Sequence, residues 1–303
     1  MMLIQKKPSK HIQTSTSRKI YLVFNHLVLI VLAMLCILPF VNVIAISFSN
    51  SFFVTAGQVT FWPKGFTTAS YEYLLNKDAF WSAFRVSIVR LLLGTTVNML
   101  LLLLTAYPLS KENGQLRHRK VYIWFFFITM LITGGVIPEY LLISELGLRN
   151  SIWALILPGA LPVYNLVLML NFFRQVPREM EEAALIDGAG PLRTLLSIYI
   201  PMSAPAIATL TLFCMVGHWN SWFDGMVYMS DINKIPLQTY QRTILLDIDM
   251  SKISSSDYAL LRFVSDRSIK CTQIIVGTIP ILCVYPFLQK YFVSGIALGG
   301  VKG

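Results

Sequence analysis

Charge is scarce in this chain of 303 residues: Asp, Glu, Lys and Arg make up 13% of it, about half the share of an ordinary soluble domain. With 55% of residues hydrophobic and a mean hydropathy of +0.62, a large water-soluble core is excluded and a polytopic membrane protein is expected. Cysteine is equally sparse. Cys36, Cys214, Cys271 and Cys283 stand alone, mostly inside apolar runs, so neither a disulfide framework nor a metal-ligand spacing is present and free thiols are expected. No H-E-x-x-H, no nucleophile elbow and no phosphate-cradling G-x-x-x-x-G-K-S/T occurs. A chain without the last cannot hydrolyse ATP itself, and a membrane-embedded enzyme would need a reactive constellation not found here. Repeats, low-complexity tracts and linkers are missing too, which points to one membrane domain.

What the chain does have is long apolar runs. After a basic tail (residues 1–19), six spans are expected: 20–46 with Pro39 as a possible kink, 82–109, 121–137, 151–173 interrupted by Pro158 and Pro162, 202–229, and 269–287. The runs suit the roughly 20 residues that a helix needs to cross about 30 Å. Tyr71-Glu72-Tyr73 suggests a surface helix in the loop after the first span. The net charge of +10 is scattered between apolar runs, as in the loops of a membrane protein, rather than gathered for nucleic acid. The tail, the 110–120 loop, the loop before the fifth span and the C-terminal end carry 14 Lys and Arg, against 8 on the opposite side. That bias puts both termini in the cytoplasm.

Between the fourth and fifth spans lies the one long patterned stretch, Pro177 to Pro201. Pro177 sits where a helix can begin, because a missing N–H costs nothing in a first turn. Glu179, Glu181 and Glu182 favour the positive end of the dipole of that helix. Ala183 and Ala184 present a small, smooth surface, Gly188 and Gly190 stop the helix, and Pro191 starts another. A helix, a sharp turn and a second helix suit docking into a groove on a partner; a solvated surface loop is the plainer alternative.

Glu182-Ala183-Ala184, three residues, Gly188, nine residues, then Ile198-Tyr199-Ile200-Pro201 resembles the EAA loop of permease subunits of bacterial ATP-binding-cassette (ABC) importers. The family pattern is departed from only by Ile200 in place of Leu. Asp187-Gly188-Ala189 resembles the version in carbohydrate importers of the maltose-permease type. So do residues 134–143 and 146–151, Asn171-Phe172-Phe173-Arg174, and 285–292, giving nearly full-length coverage. The resemblance implies an all-α, six-span, type I ABC importer permease fold, with tails at 1–19 and 295–303 and a membrane domain at 20–294. It also implies that Glu182, Ala183, Ala184, Asp187, Gly188, Ala189 and Pro201 belong to a coupling element on a cytoplasmic ATPase. Implied partners are a second permease, a pair of ATPases and an extracellular solute-binding protein. This chain is expected to bind no cofactor; ATP and Mg belong to the ATPase.

Polar residues within the spans offer the remaining chemistry. Asn98 and Asn165 fall near the middle of the second and fourth spans, where an amide bonds a neighbouring helix or meets solute. The fifth span carries His218, Trp219, Asn220, Trp222 and Asp224. Indole rings beside amides and carboxylates suit the C–H faces and hydroxyl edges of sugars; packing or an interfacial belt is the alternative for the tryptophans. At helical spacing Gly217, Asn220 and Asp224 share a face, as do Trp219 and Trp222. His218 is expected to be neutral and bonded to a neighbouring helix, with a proton relay as the alternative, and Asp224 to reach water. The reading is therefore a multi-pass bacterial membrane permease for a carbohydrate, with an amino-acid or peptide importer, or an ion-coupled secondary transporter, as alternatives.

Overall fold

A computed structural model describes residues 16–112, 114, 116–246 and 264–299. Expectations for the start of the tail, the middle of the 230–268 loop and residues 300–303 lie outside them. Among the described residues the chain is helical, and its one β contact is an isolated antiparallel bridge, Ser49 to Phe66. The helices are α1 (Thr16–Ser47), α2 (Ser51–Thr55), α3 (Ala69–Leu75), α4 (Asp78–Ser110), α5 (Arg119–Leu131), α6 (Val136–Glu145), α7 (Val163–Phe173), α8 (Arg178–Ile186), α9 (Pro191–Thr194), α10 (Ile200–Met202), α11 (Ala204–Asn220), α12 (Phe223–Tyr228), α13 (Leu237–Leu246) and α14 (Asp266–Gly299). Helix is the expected answer for backbone in lipid, where only internal hydrogen bonds can satisfy every amide.

Two of these helices, α1 and α4, are long and apolar enough to cross a membrane alone. Of the other expected spans, the sixth lies within the continuous helix α14, whereas the third, fourth and fifth are not simple rods. Residues 121–137 divide into α5 and α6, which meet at 111° around Gly135, whose φ of 85° is open to a residue without Cβ. The fourth span keeps only the 11 helical residues of α7, about 16 Å of rise, preceded by a 3₁₀ turn at Ile152–Leu155. Pro158 and Pro162 lie in the non-helical stretch between them, since neither can donate to a helical ladder. The fifth span bends by 87° between Pro191–Met202 and α11, then stops at Asn220 before α12 resumes at Phe223. That stop overturns the expected helical faces: Asn220 and Asp224, like Trp219 and Trp222, are separated by the break.

Helix α4 is the axis of the fold. Its N-terminal half joins Phe80 and Ala83 to a core with Trp219, Leu155, Tyr228 and Leu237. Its other half packs Leu102, Ala106 and Leu109 against Met169 and Phe173 of α7 and Leu210 of α11. By contrast neither α5 nor the apolar window of α1 has a fully buried residue; the exposed faces of both suit lipid or another chain. Helix α3 confirms the surface helix expected around Tyr71-Glu72-Tyr73.

Candidate functional site: a polar cavity along α4 and the α8 knuckle

Interrupted helices inside a bilayer leave carbonyls without partners, and such backbone persists only where protein or a water-lined cavity satisfies it. Two polar side chains of α4 do this here. Arg90 donates to the carbonyls of Leu155 (3.4 Å) and Ser221 (3.3 Å), at the two breaks. Asn98, two turns further along, donates through Nδ2 to the carbonyls of Gly159 (2.7 Å) and Ala160 (2.9 Å). One helix thus ties down both broken spans.

Arg90 is buried and forms a two-pronged ion pair with Asp224. Asp224 also accepts from Ser221 Oγ (2.8 Å) and from the N–H of Gly225 (2.9 Å). Asp224 is bound to a guanidinium, and its side chain stays 23% exposed at the wall of the cavity described below. Arg90 lies well inside its helix: α4 starts at Asp78, so Arg90 is about 18 Å along it. His218 bonds Asn98 through Nε2. Because the Asn98 amide nitrogen already serves two carbonyls, its Oδ1 is the acceptor and His218 the Nε2–H donor. The imidazole lies so close to Gly94 that a Cβ there would sit 2.5 Å from the ring.

These groups line a cavity of about 410 Å³ together with Asn165 and Tyr228. Of the expected solute-path residues, Asn98, Asn165, His218 and Asp224 meet there. Asn165 is buried, and its amide donates to Cys214 Sγ at 3.4 Å. Trp219 does not line it: the indole is 1% exposed and its N–H donates to the Gly277 carbonyl of α14 at 2.9 Å. Trp222 lies in the break with Arg242 over its ring at 4.4 Å, and Asn220 is exposed at the end of α11; neither lines the cavity.

At the other end of α4 stands the patterned stretch. Pro177 caps α8 with an extended backbone (φ −60°, ψ 136°). The helix ends at Ile186, and Gly188 then turns the chain at φ 75°, while the N–H groups of Asp187, Gly188 and Ala189 bond the carbonyls of Ala183, Leu185 and Ala184 at 2.9–3.0 Å. Pro191 opens α9. Glu182, Ala183, Asp187 and Gly188 are exposed and Ala184 and Ala189 half-buried. Ile186 is 86% exposed, an apolar tip with nothing covering it. Pro201 is separate, in α10 at the bend into α11.

Sequence reasoning missed what holds this knuckle. Glu181 accepts from Lys111 Nζ (2.5 Å) and from Tyr199 Oη (2.6 Å), and Lys111 also donates to Tyr199 at 3.1 Å. Lys111 Nζ lies over the rings of Tyr107 (4.1 Å) and Tyr199 (4.4 Å). The signal was the cation that directly follows the apolar run of α4. Burial raises the pKa of the Glu181 carboxyl, but Lys111 and Tyr199 outweigh it and hold it below the usual carboxylate value. Burial pushes the Lys111 ammonium down despite Glu181.

Broken spans around a polar cavity, with an exposed helical knuckle outside the bundle, fit the class of membrane transport permeases. The chain belongs to the family of binding-protein-dependent transport system inner membrane components, whose model matches residues 17–298. It is 39% identical over 280 residues, 91% of this chain and 96% of the relative, to the polygalacturonan/rhamnogalacturonan transport system permease protein YtcP of Bacillus subtilis. It is 27% identical to the maltodextrin transport system permease protein MdxG of the same organism, over 95% of this chain and 99% of the relative. Among solved structures, a chain of a bacterial ABC transporter involved in the import of the acidic polysaccharide alginate superposes with a TM-score of 0.84 at 31% identity, covering 92% of this chain and 99% of that one.

Proposed function

We propose that this permease imports an acidic, uronic-acid-containing oligosaccharide, driven by ATP hydrolysis in a separate cytoplasmic ATPase seated on α8. The observation that carries the ATPase reading is the knuckle itself, an exposed helix bearing Glu182, Ala183 and an uncovered Ile186. Glu182 is its polar anchor, Ala183 and Ala184 allow close approach, and Gly188 makes the turn. Both termini and α8 lie in the cytoplasm on this reading. Support for the cargo comes from relatives named for polygalacturonan and rhamnogalacturonan and for alginate. A second permease would close the open side of the cavity, and a solute-binding protein would deliver cargo from outside. Asn98, Asn165 and His218 offer this chain's half of the path amide and imidazole groups suited to hydroxyls, while its one guanidinium is already balanced by Asp224.

The test is the assembled complex in proteoliposomes. Uptake and ATPase activity should rise with galacturonate or alginate oligomers and not with malto-oligomers. Glu182→Lys or Gly188→Pro should abolish uptake while the chain still inserts. Uptake without the ATPase, or labelling of residue 185 from outside the cell, would refute the docking reading.

A further inference from the structure

A second cavity of about 480 Å³ lies beneath α8, and its walls include four cations: Lys111, Arg119, Arg174 and Arg178. Two of these are matched by acids. Lys111 pairs with Glu181 and Arg178 with Glu112. The other two are not. Arg119 spends its Nε–H on the Leu109 carbonyl at 2.7 Å, which satisfies one donor and none of the charge. Arg174 is exposed at the cavity mouth and its guanidinium has no hydrogen bond or ion pair among the described residues; partial desolvation, with the nearby charge of Arg119, lowers its pKa. Two guanidinium groups that face one cavity and are paired with none of its carboxylates among the described residues repel, and an anion bound between them relieves the repulsion.

The geometry points to Arg119 and Arg174 as the receptor for a carboxylate side chain of the ATPase, an inference that rests on the docking reading. Glu182 and Leu185 of α8 line the same cavity, so a protein seated on the exposed face of that helix necessarily meets the cavity mouth. The rim then presents two unmatched cations beside one unmatched acid, Glu182. A complementary surface carries an acid that reaches the arginines and a base that reaches Glu182. Planar guanidinium groups bind a carboxylate through paired N–H donors, which fixes orientation as well as charge. Docking through opposite charges at two points sets the register of α8 on its partner, which Glu182 alone would leave free to pivot.

Nanodiscs holding both permeases, made with and without phosphatidylglycerol, are titrated with the purified ATPase. Arg174→Glu should weaken binding about tenfold or more, Arg174→Lys only a few-fold, and the Arg119→Gln/Arg174→Gln pair should flatten the salt dependence of binding. Folding of each variant is checked by its thermal midpoint. Unchanged ATPase affinity and salt dependence in these variants would overturn the inference. If Glu182→Lys weakens binding in the same series, the docking reading survives that result; if Glu182→Lys also binds normally, both fail. A variant that loses only the dependence on phosphatidylglycerol would assign the arginines to a lipid headgroup and overturn the inference as well.

Discussion

Replacing Glu181 by Gln removes the charge that clamps α8 to the end of α4 while keeping the shape of the side chain. The Lys111 and Glu181 side chains are 11% and 14% exposed, so water screens the pair less than it does a surface contact. Exposed pairs contribute about 0.2–1 kcal/mol, and breaking a fully buried one costs about 3–5 kcal/mol. Burial lowers the Lys111 pKa in spite of its partner, a sign that desolvation takes back much of the attraction. The amide oxygen of the glutamine can still accept from Tyr199, and the two rings around Lys111 remain. The expected loss is therefore about 2 kcal/mol, roughly a 30-fold shift toward a detached knuckle. Hydrogen exchange of the amides of residues 180–189 should speed up by about that factor, with the amides of residues 95–106 unchanged. Transport per ATP hydrolysed should fall, and the swap Lys111→Glu/Glu181→Lys should restore part of it. Because the folded-state pKa of Glu181 is depressed, its stabilisation is present above the ordinary carboxylate range and disappears as pH falls below it; Glu181→Gln should abolish that acid dependence. Wild-type exchange rates in Glu181→Gln would show that the clamp carries no load and refute the reasoning.

Asp224→Asn leaves Arg90 as an unbalanced buried charge and should cost about 3–5 kcal/mol, read as a fall in the thermal midpoint of the purified protein. The double change Arg90→Met/Asp224→Leu should regain part of that, less the two carbonyls of Leu155 and Ser221 that lose their donor. Gly94→Ala puts a methyl 2.5 Å from the His218 ring and should cost about 1–3 kcal/mol by forcing α4 and α11 apart; His218→Ala in the same chain should relieve most of it. Gly188→Ala holds a Cβ at φ 75° at a cost of about 1–2 kcal/mol, so α8 should fray at its C-terminal end, visible as faster exchange of the Gly188 and Ala189 amides.

Hydropathy alone determined that the chain is helical and belongs in a membrane, because lipid leaves the backbone no other partner than itself. The α8 knuckle was readable for a local reason: Pro177, Gly188 and Pro191 act on the dihedrals of their own neighbourhood. Where spans break is less local. Pro158 and Pro162 warned of one interruption, but nothing in Trp219-Asn220-Ser221-Trp222 says that α11 stops there, and the helical faces drawn through that point were wrong. Only the tertiary structure decided which polar side chains answer the freed carbonyls. Arg90 and Leu155, or Glu181 and Lys111, are far apart in the chain and are paired by the packing of α4 against its neighbours. Electrostatic partners depend on distance in space, and sequence spacing reports that distance only within a single unbroken helix.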